Sequence, residues 1–291
     1  MPIRKAVIPA AGYGTRFLPV TKAVPKELLP IVDRPTIQYI VEECVRAGLD
    51  DILLITSAGK SAIRDHFDRS LELESALESK GKHDLLDIVR SIADLADIHA
   101  IRQGEMLGLG HAVLKAKDHV GDNPFAVLLG DDLVHPNVPF LERMIEAHEQ
   151  TGRAVVALME VPRDQVHLYG VADAKETDEQ GVFEITRLVE KPPVEEAPSN
   201  LVVIGRYVLP GQIFDVLENT PKGRGGEIQL TDALQTLASD EPIVGVRLDE
   251  GRYDAGDKLG YLKANVEFAA EHPEIGADFL AWLRDYVGEQ G

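Results

Sequence analysis

Short apolar runs rich in β-branched residues recur along this chain, separated by stretches whose apolar positions fall at helical spacing. This alternation constrains the fold more than any other feature. Lys5-Ala6-Val7-Ile8-Pro9-Ala10 is too brief and too β-branched for a helix and reads as a fully buried strand. Ile37, Ile40, Val41, Cys44 and Val45 then recur at helical spacing between Pro35, near the first turn, and Gly48, just past the end. Ile52 to Thr56 is a second buried strand, followed by a helix through Ile63 and Phe67. Ile98 to Arg102, Phe125 to Leu129 and Ala154 to Val161 are further strands, the last preceded by a helix at Pro139 to Gln150. Strands alternating with helices in this way predict an α/β fold with a mixed, mainly parallel central sheet and helices on both faces, a three-layer α/β/α arrangement.

Two regions depart from the rhythm. Residues 68–97 are rich in Leu, Glu, Asp and Lys without strand signals and predict an insertion of one or two helices. Beyond Pro162, strands at Val182 to Lys191, Leu201 to Leu209 and Ile243 to Leu248 alternate with helices near Gln212 to Glu218 and Gln229 to Ala238. The tail, 258–291, reads as two helices, Lys258 to Glu271 and Ile275 to Val287. No internal repeat, low-complexity tract or flexible linker divides the chain, so residues 1–291 are expected to form one domain.

Charge narrows the partners. The 291 residues carry 30 Lys+Arg against 49 Asp+Glu, a net charge of −19. So acidic a surface repels nucleic acid and anionic lipid, and neither is expected as a partner. No run approaches the roughly 20 apolar residues of a membrane span, and the start has no apolar core of signal-peptide length. A single cysteine, Cys44, permits no intramolecular disulfide and sits on the buried face of its helix as a structural thiol. A cytoplasmic location is expected. Against this acidic background, residues 1–26 contain Arg4, Lys5, Arg16, Lys22 and Lys26 and no acid. Basic charge is concentrated at the amino end.

That strand runs into Gly12-Tyr13-Gly14-Thr15-Arg16, a loop whose backbone N–H groups can surround an anion. It is not a dinucleotide fingerprint, because Phe17 occupies the third glycine position. Nor is there an ATPase P-loop: the only Gly-Lys-Ser, at Gly59 to Ser61, has Leu54 where the first glycine belongs. Ten residues beyond Arg16 comes Lys26, in the segment Pro25-Lys26-Glu27-Leu28-Leu29-Pro30, whose prolines restrict the backbone on both sides of it.

Together these segments form the string A-A-G-x-G-T-R-x-x-P-x-T-K-x-x-P-K-E-L-L-P from Ala10 to Pro30, which resembles the signature of the sugar-nucleotide pyrophosphorylases, and especially their bacterial uridylyltransferase branch acting on UTP and glucose 1-phosphate. The resemblance covers about 250 residues. Arg102-Gln103-Gly104 with Gly108-Leu109-Gly110-His111-Ala112 is similar to that family's loop around the base. Leu129-Gly130-Asp131 resembles its metal-bearing strand end, and Val189-Glu190-Lys191-Pro192 its sugar-phosphate motif. Pro198-Ser199-Asn200 with Val203 to Tyr207 looks like the neighbouring sugar wall, and Gly226 to Asp232 and Tyr253-Asp254-Ala255-Gly256 complete the series. One departure is Gly130, where many bacterial uridylyltransferases carry proline and related nucleotidyltransferases carry glycine.

The resemblance implies a Rossmann-like nucleotidyltransferase fold and a reaction in which a sugar 1-phosphate oxygen attacks the α-phosphorus of a nucleoside triphosphate and expels pyrophosphate. A phosphate monoester is largely ionised at neutral pH, so no catalytic serine, cysteine or general base is needed. The task is to bring two polyanions together and neutralise charge. By resemblance, Arg16 and Lys26 hold the triphosphate and the departing pyrophosphate, and Asp131 ligates Mg2+ with Asp254 as second carboxylate. Ala10, Ala11, Gly12, Gly14, Thr15, Gln103 and Gly108 surround the nucleotide, Gln103 offering both a donor and an acceptor to the uracil edge. Gly170, Glu190, Lys191 and Val203 surround the sugar phosphate, with Glu190 accepting from hydroxyls and Lys191 on the phosphate. His111 is a weaker choice from the same loops, and Asp132 is expected to be structural. The remaining histidines show no metal-ligand spacing. The family also implies a homodimer or homotetramer.

Three rival readings remain at the level of sequence. A nucleotidyltransferase using dTTP or GTP shares the phosphate motifs. A glycosyltransferase consuming a UDP-sugar usually carries Asp-x-Asp, which Asp131-Asp132-Leu133 does not provide. A non-catalytic nucleotide-sugar sensor has no need of Lys26, Asp131, Lys191 and Asp254 together.

Overall fold

The computed structural model describes residues 3–290; Met1, Pro2 and Gly291, inside the expected domain range, lie outside the described residues. Nine strands form one sheet: β1 Lys5–Pro9, β2 Asp51–Thr56, β3 Asp97–Arg102, β4 Phe125–Leu128, β5 Val155–Glu160, β6 Gly170–Glu176, β7 Val182–Glu190, β8 Leu201–Leu209 and β9 Ile243–Arg247. Their spatial order is β3-β2-β1-β4-β8-β5-β9-β7-β6. Strands β3, β2, β1 and β4 are parallel neighbours, as are β5 and β9. β7 and β8 run against their neighbours. The sheet is therefore mixed, and the antiparallel strands are confined to its second half.

Strand β1 is buried on both faces, as its unbroken apolar run requires. Ala6 and Ile8 belong to a core containing Ile37, Ile40, Val41 and Cys44 of helix Thr36–Arg46 and Leu141 and Met144 of helix Phe140–Thr151. Val7, on the alternate face, belongs to a second core with Val113 of helix Leu109–Leu114, Phe214 and Leu217 of helix Ile213–Asn219, and Leu234 of helix Leu230–Asp240. Burial raises the Cys44 thiol pKa far above its ordinary value, leaving it inert.

Between β2 and β3 lie helix Leu71–Ser79 and helix His83–Ala93, held together where the buried Glu74 accepts from Arg69 and Arg90. The tail forms helices Lys258–Glu271 and Gly276–Gln290. Strand β6 is the main element that periodicity does not announce: its outer half is Asp, Lys and Glu, and it pairs chiefly at the sheet edge with β7. The short helix Leu109–Leu114 was likewise hidden among glycines.

Chain order changes direction at β1: β2 lies on one side and β4 on the other. In open α/β sheets ligands bind outside the carboxyl ends of strands at such a switch point. The loops that leave β1, β2, β3 and β4 there carry Gly12, Lys60, Gln103 and Asp131.

Candidate active site

The loop after β1 is anchored before it reaches the cleft. Ala10 N–H donates to the Ile55 carbonyl at 2.8 Å, and the Ala10 carbonyl accepts from Lys60 Nζ at 2.7 Å. Gly14 adopts φ +64°, and a Cβ there would lie 3.2 Å from both Lys26 Cβ and Thr21 Cγ2. Glycine thus serves two needs at one position, a left-handed backbone and close packing over Lys26. Thr21 Oγ1 donates to the Gly14 carbonyl at 2.8 Å and ties the loop to the segment that delivers Lys26.

Lys26 and Glu27 point to different partners. Lys26 Nζ is paired with Asp131 Oδ2. Burial would lower its pKa, but the Asp131 charge and hydrogen bond outweigh this and raise it, so Lys26 is a fixed cation. Glu27, 1% exposed, accepts from Lys60 at 3.0 and 2.9 Å. Burial pushes Glu27 up and Lys60 down, so the pair survives as ions only because each partner is present. Lys60 belongs to the Gly-Lys-Ser that failed as a P-loop; sequence reasoning discarded it, yet it joins three loops beneath the cleft.

Asp131 follows β4. A Cβ built on Gly256 would meet Asp131 Oδ2 at 2.5 Å and Asp254 Oδ1 at 2.9 Å, so a glycine leaves room where the two carboxylates converge. Burial raises the Asp254 pKa; Arg252 opposes this, and the charges of Asp132 and Asp131 add to it. Two like-charged oxygen donors in so small a space suit a hard divalent cation. Asp132 faces away: it accepts from Gly205 N–H at 2.8 Å and from Arg252 at 2.9 and 3.1 Å. At Gly130 an added Cβ would find only ordinary contacts, 3.4 Å from Glu27 Cγ and 3.5 Å from the Pro9 carbonyl. Its neighbours are the loop of Glu27 and strand β1, so the departure at this position concerns loop packing.

A cleft of about 390 Å³ opens above these groups, with Ala11, Gly12, Lys26, Gln103, Gly108 and Asp131 in its wall. Gln103, 4% exposed, donates from Nε2 to the Gly108 carbonyl at 3.0 Å and lies 3.2 Å from His111 Nδ1. Here the Nε2 donor is engaged by the loop, and the carbonyl oxygen is the amide group left without a partner. Burial lowers the His111 pKa, which favours a neutral ring whose Nδ1 can accept from the Gln103 amide. Gly108 sits at φ +102° with Ile228 backbone 2.8 Å from any Cβ, so only glycine closes this wall.

A second cleft, about 250 Å³, holds Gly170, Glu190, Lys191 and Val203 and shares Leu109 and Glu227 with the first. Glu190 accepts from Thr231 Oγ1 at 2.7 Å and pairs with Lys191 Nζ at 3.0 Å. Lys191 has φ +45°, a strained conformation held because its N–H donates to the Tyr169 carbonyl at 2.9 Å and its carbonyl accepts from Arg224. Asp232 stands nearby with its pKa raised by burial and by Glu190. Thr231 and Glu227 lie within the Gly226 to Asp232 segment, whose pattern does not distinguish them; only the fold puts Thr231 against Glu190 and Glu227 between the clefts.

Not every predicted residue lines a cleft. Ala10 is 1% exposed with its backbone donor and acceptor both spent, so it positions the loop and does not face the cavity. Gly14, Thr15, Arg16 and Asp254 line neither cleft; Thr15 and Arg16 are exposed, and Arg16 Nη1 reaches only the Gly256 carbonyl, at 3.5 Å.

Comparison with known proteins agrees with this geometry. The Nucleotidyl transferase family matches residues 5–271. A UTP–glucose-1-phosphate uridylyltransferase of Bacillus subtilis is 53% identical over 286 residues, 98% of this chain and 96% of that protein. A UTP-bound UGPase from Acinetobacter baumannii superposes with a TM-score of 0.90 at 45% identity, covering 97% of this chain and 98% of that one. A UDP-glucose pyrophosphorylase complexed with UDP-glucose gives 0.83 at 43% identity, over 93% and 100% of the two chains. With two adjoining clefts behind β1 and β4 and such similarity along nearly its whole length, the chain belongs to the UTP–glucose-1-phosphate uridylyltransferases of the nucleotidyl transferase family.

Proposed function

We propose that the chain transfers the uridylyl group of UTP to glucose 1-phosphate, giving UDP-glucose and pyrophosphate, across the shared wall of the two clefts. The observation that carries this reading is the adjacency itself. One cleft holds Lys26, Asp131 and Gln103, the other Glu190 and Lys191, and Leu109 and Glu227 belong to both.

The ionised phosphate oxygen of glucose 1-phosphate attacks the α-phosphorus of UTP; the bond to the bridging oxygen breaks, and its electron pair leaves with pyrophosphate. Lys191, fixed by its strained backbone, holds the attacking phosphate, and Glu190, oriented by Thr231, accepts from sugar hydroxyls. Lys26 and the rim cation Arg16 hold the triphosphate and the leaving pyrophosphate. The Gln103 carbonyl oxygen accepts from uracil N3–H, while Ala11, Gly12 and Gly108 let the backbone approach base and ribose. Asp131 and Asp254 fit Mg2+, which when bound neutralises phosphate charge and aligns the displacement. Most of the rate enhancement then comes from positioning and charge.

We further infer one catalytic unit of three α/β/α layers, supported by the single nine-stranded sheet with a core on each face. Among the described residues no helix is long and apolar enough to cross a membrane; we infer a cytoplasmic enzyme without membrane or nucleic-acid partners, the net charge of −19 opposing polyanions. Exposed Leu259, Leu262, Trp282, Tyr286 and Val287 on the last two helices support a homodimer or homotetramer.

Pyrophosphate release measured across four nucleoside triphosphates and several sugar 1-phosphates tests the reading. A single dominant combination, UTP with glucose 1-phosphate, is expected. Dominance of dTTP or GTP, or no release with any pair, would refute it.

A further inference from the structure

At the amino-terminal ends of the strands, away from both clefts, three potential metal ligands meet. Lys5, Asp51 and Asp97 are in register across β1, β2 and β3. His99 stands two residues further along β3, and His119 comes from the short helix Lys117–Val120. His119 Nε2 lies 2.7 Å and His99 Nε2 3.8 Å from the same carboxylate oxygen, Asp51 Oδ1. The three ligand atoms lie within 4.8 Å of one another. Nothing in the reaction uses these groups, and nothing in the spacing of Asp51, His99 and His119 along the chain announces them.

We propose that Asp51, His99 and His119 form a site for a transition-metal dication, Zn2+ above all, separate from the Mg2+ pair at Asp131 and Asp254. Three lines of geometry support it. Tetrahedral Zn2+ with ligand bonds of about 2.0–2.1 Å separates its ligand atoms by about 3.3 Å, so the observed spacings need only small side-chain rotations. Lys5 is bonded to Asp51 Oδ2 and leaves Oδ1 directed at both imidazoles, as outer partners of metal-bound carboxylates do. The His99 and His119 side chains are 53% and 23% exposed, which gives the metal a path in and leaves a coordination position to solvent. Two imidazoles and one carboxylate select Zn2+, Ni2+ or Cu2+ over Mg2+, which prefers an all-oxygen shell. Bound there, the ion ties the helix of His119 to β2 and β3, which already pair along their backbones at this end.

The test is calorimetric titration of ZnCl2 into the untagged full chain in excess Mg2+, with Co2+ absorption as a second readout. One Zn2+ per chain, a visible Co2+ ligand-field band, and a higher melting temperature with Zn2+ are expected. His99→Ala, at a half-exposed position that tolerates truncation, should weaken binding at least ~10-fold and remove the Co2+ band while leaving turnover with Mg2+ unchanged. Absence of Zn2+ binding to wild type overturns the proposal. So does binding that persists in the His99→Ala/His119→Ala double variant, or that disappears in Asp131→Asn instead.

Discussion

Lys60 offers the sharpest test of how the active-site loops are held. Its ammonium donates three hydrogen bonds, to the Ala10 carbonyl at 2.7 Å and to the two Glu27 oxygens at 3.0 and 2.9 Å, and its side chain is 10% exposed. Lys60→Met keeps the stem and removes the charge, stranding a carboxylate that is 1% exposed. Removing one partner of a buried pair costs about 3–5 kcal/mol, which at about 2–4 °C per kcal/mol lowers the melting temperature by roughly 6–20 °C. The loss should depend on pH with a defined sign. Burial raises the Glu27 pKa above its unfolded value even with Lys60 in place, so its contribution is favourable below and is lost as pH rises through the folded value. Without Lys60 the rise is larger, and the variant should therefore regain stability relative to wild type as pH falls from 8 to 5. Lys60→Met/Glu27→Leu removes both charges and should be more stable than Lys60→Met alone. Urea unfolding at several pH values measures all three quantities, and pyrophosphate release reports whether Lys26, the neighbour of Glu27, has moved. A loss below ~1 kcal/mol in the single variant, or a double variant no better than the single, refutes the account of a mutually dependent pair.

Four further outcomes are expected. Asp131→Asn should lower turnover by at least ~100-fold, about 2.7 kcal/mol, with the fold intact by circular dichroism; a loss under threefold removes Asp131 from the metal site. Asp254→Asn should abolish activity yet raise the melting temperature at pH 7. The raised carboxyl pKa means that ionisation costs folding energy, so the gain should shrink as pH falls to the ordinary carboxylate value; a gain that grows on acidification contradicts the assigned direction. Lys191→Ala should raise KM for glucose 1-phosphate at least ~10-fold with UTP binding little changed, and equal loss for both substrates would assign it a general electrostatic role. Gln103→Leu leaves the Gly108 carbonyl and a base N–H without partners, about 1–3 kcal/mol, so kcat/KM for UTP should fall roughly ten- to a hundredfold and the preference for UTP narrow; full retention of that preference would place base reading on the backbone.

Much of the fold was legible in the chain because period and length are local properties. The unbroken apolar run of β1 could be buried only on both faces, and the 3.6-residue spacing of Ile37, Ile40, Val41 and Cys44 could face only one core. Strand β6 escaped because its Asp173, Lys175 and Glu176 reflect a sheet edge, a position that exists only once nine strands are ordered. Gly12, Lys26, Gln103, Asp131 and Lys191 were marked by ordered motifs whose residue types suit polyanions and a hard cation. What those residues do to one another was not marked. Lys26 and Asp131 are 105 residues apart when they pair, Lys60 and Glu27 are 33 apart, and Asp51 and His119 are 68 apart. Apart from strand β6 and helix Leu109–Leu114, sequence by itself determined which segments become strands and helices and which residue types gather at the loops, since propensity and periodicity act over one or two turns. Only tertiary structure decided that the Gln103 donor is spent on Gly108, that Ala10 faces Lys60 and not the cleft, and that a discarded Gly-Lys-Ser underlies the site. Hydrogen-bond partners and desolvation depend on where the sheet brings distant loops, and no local pattern encodes that distance.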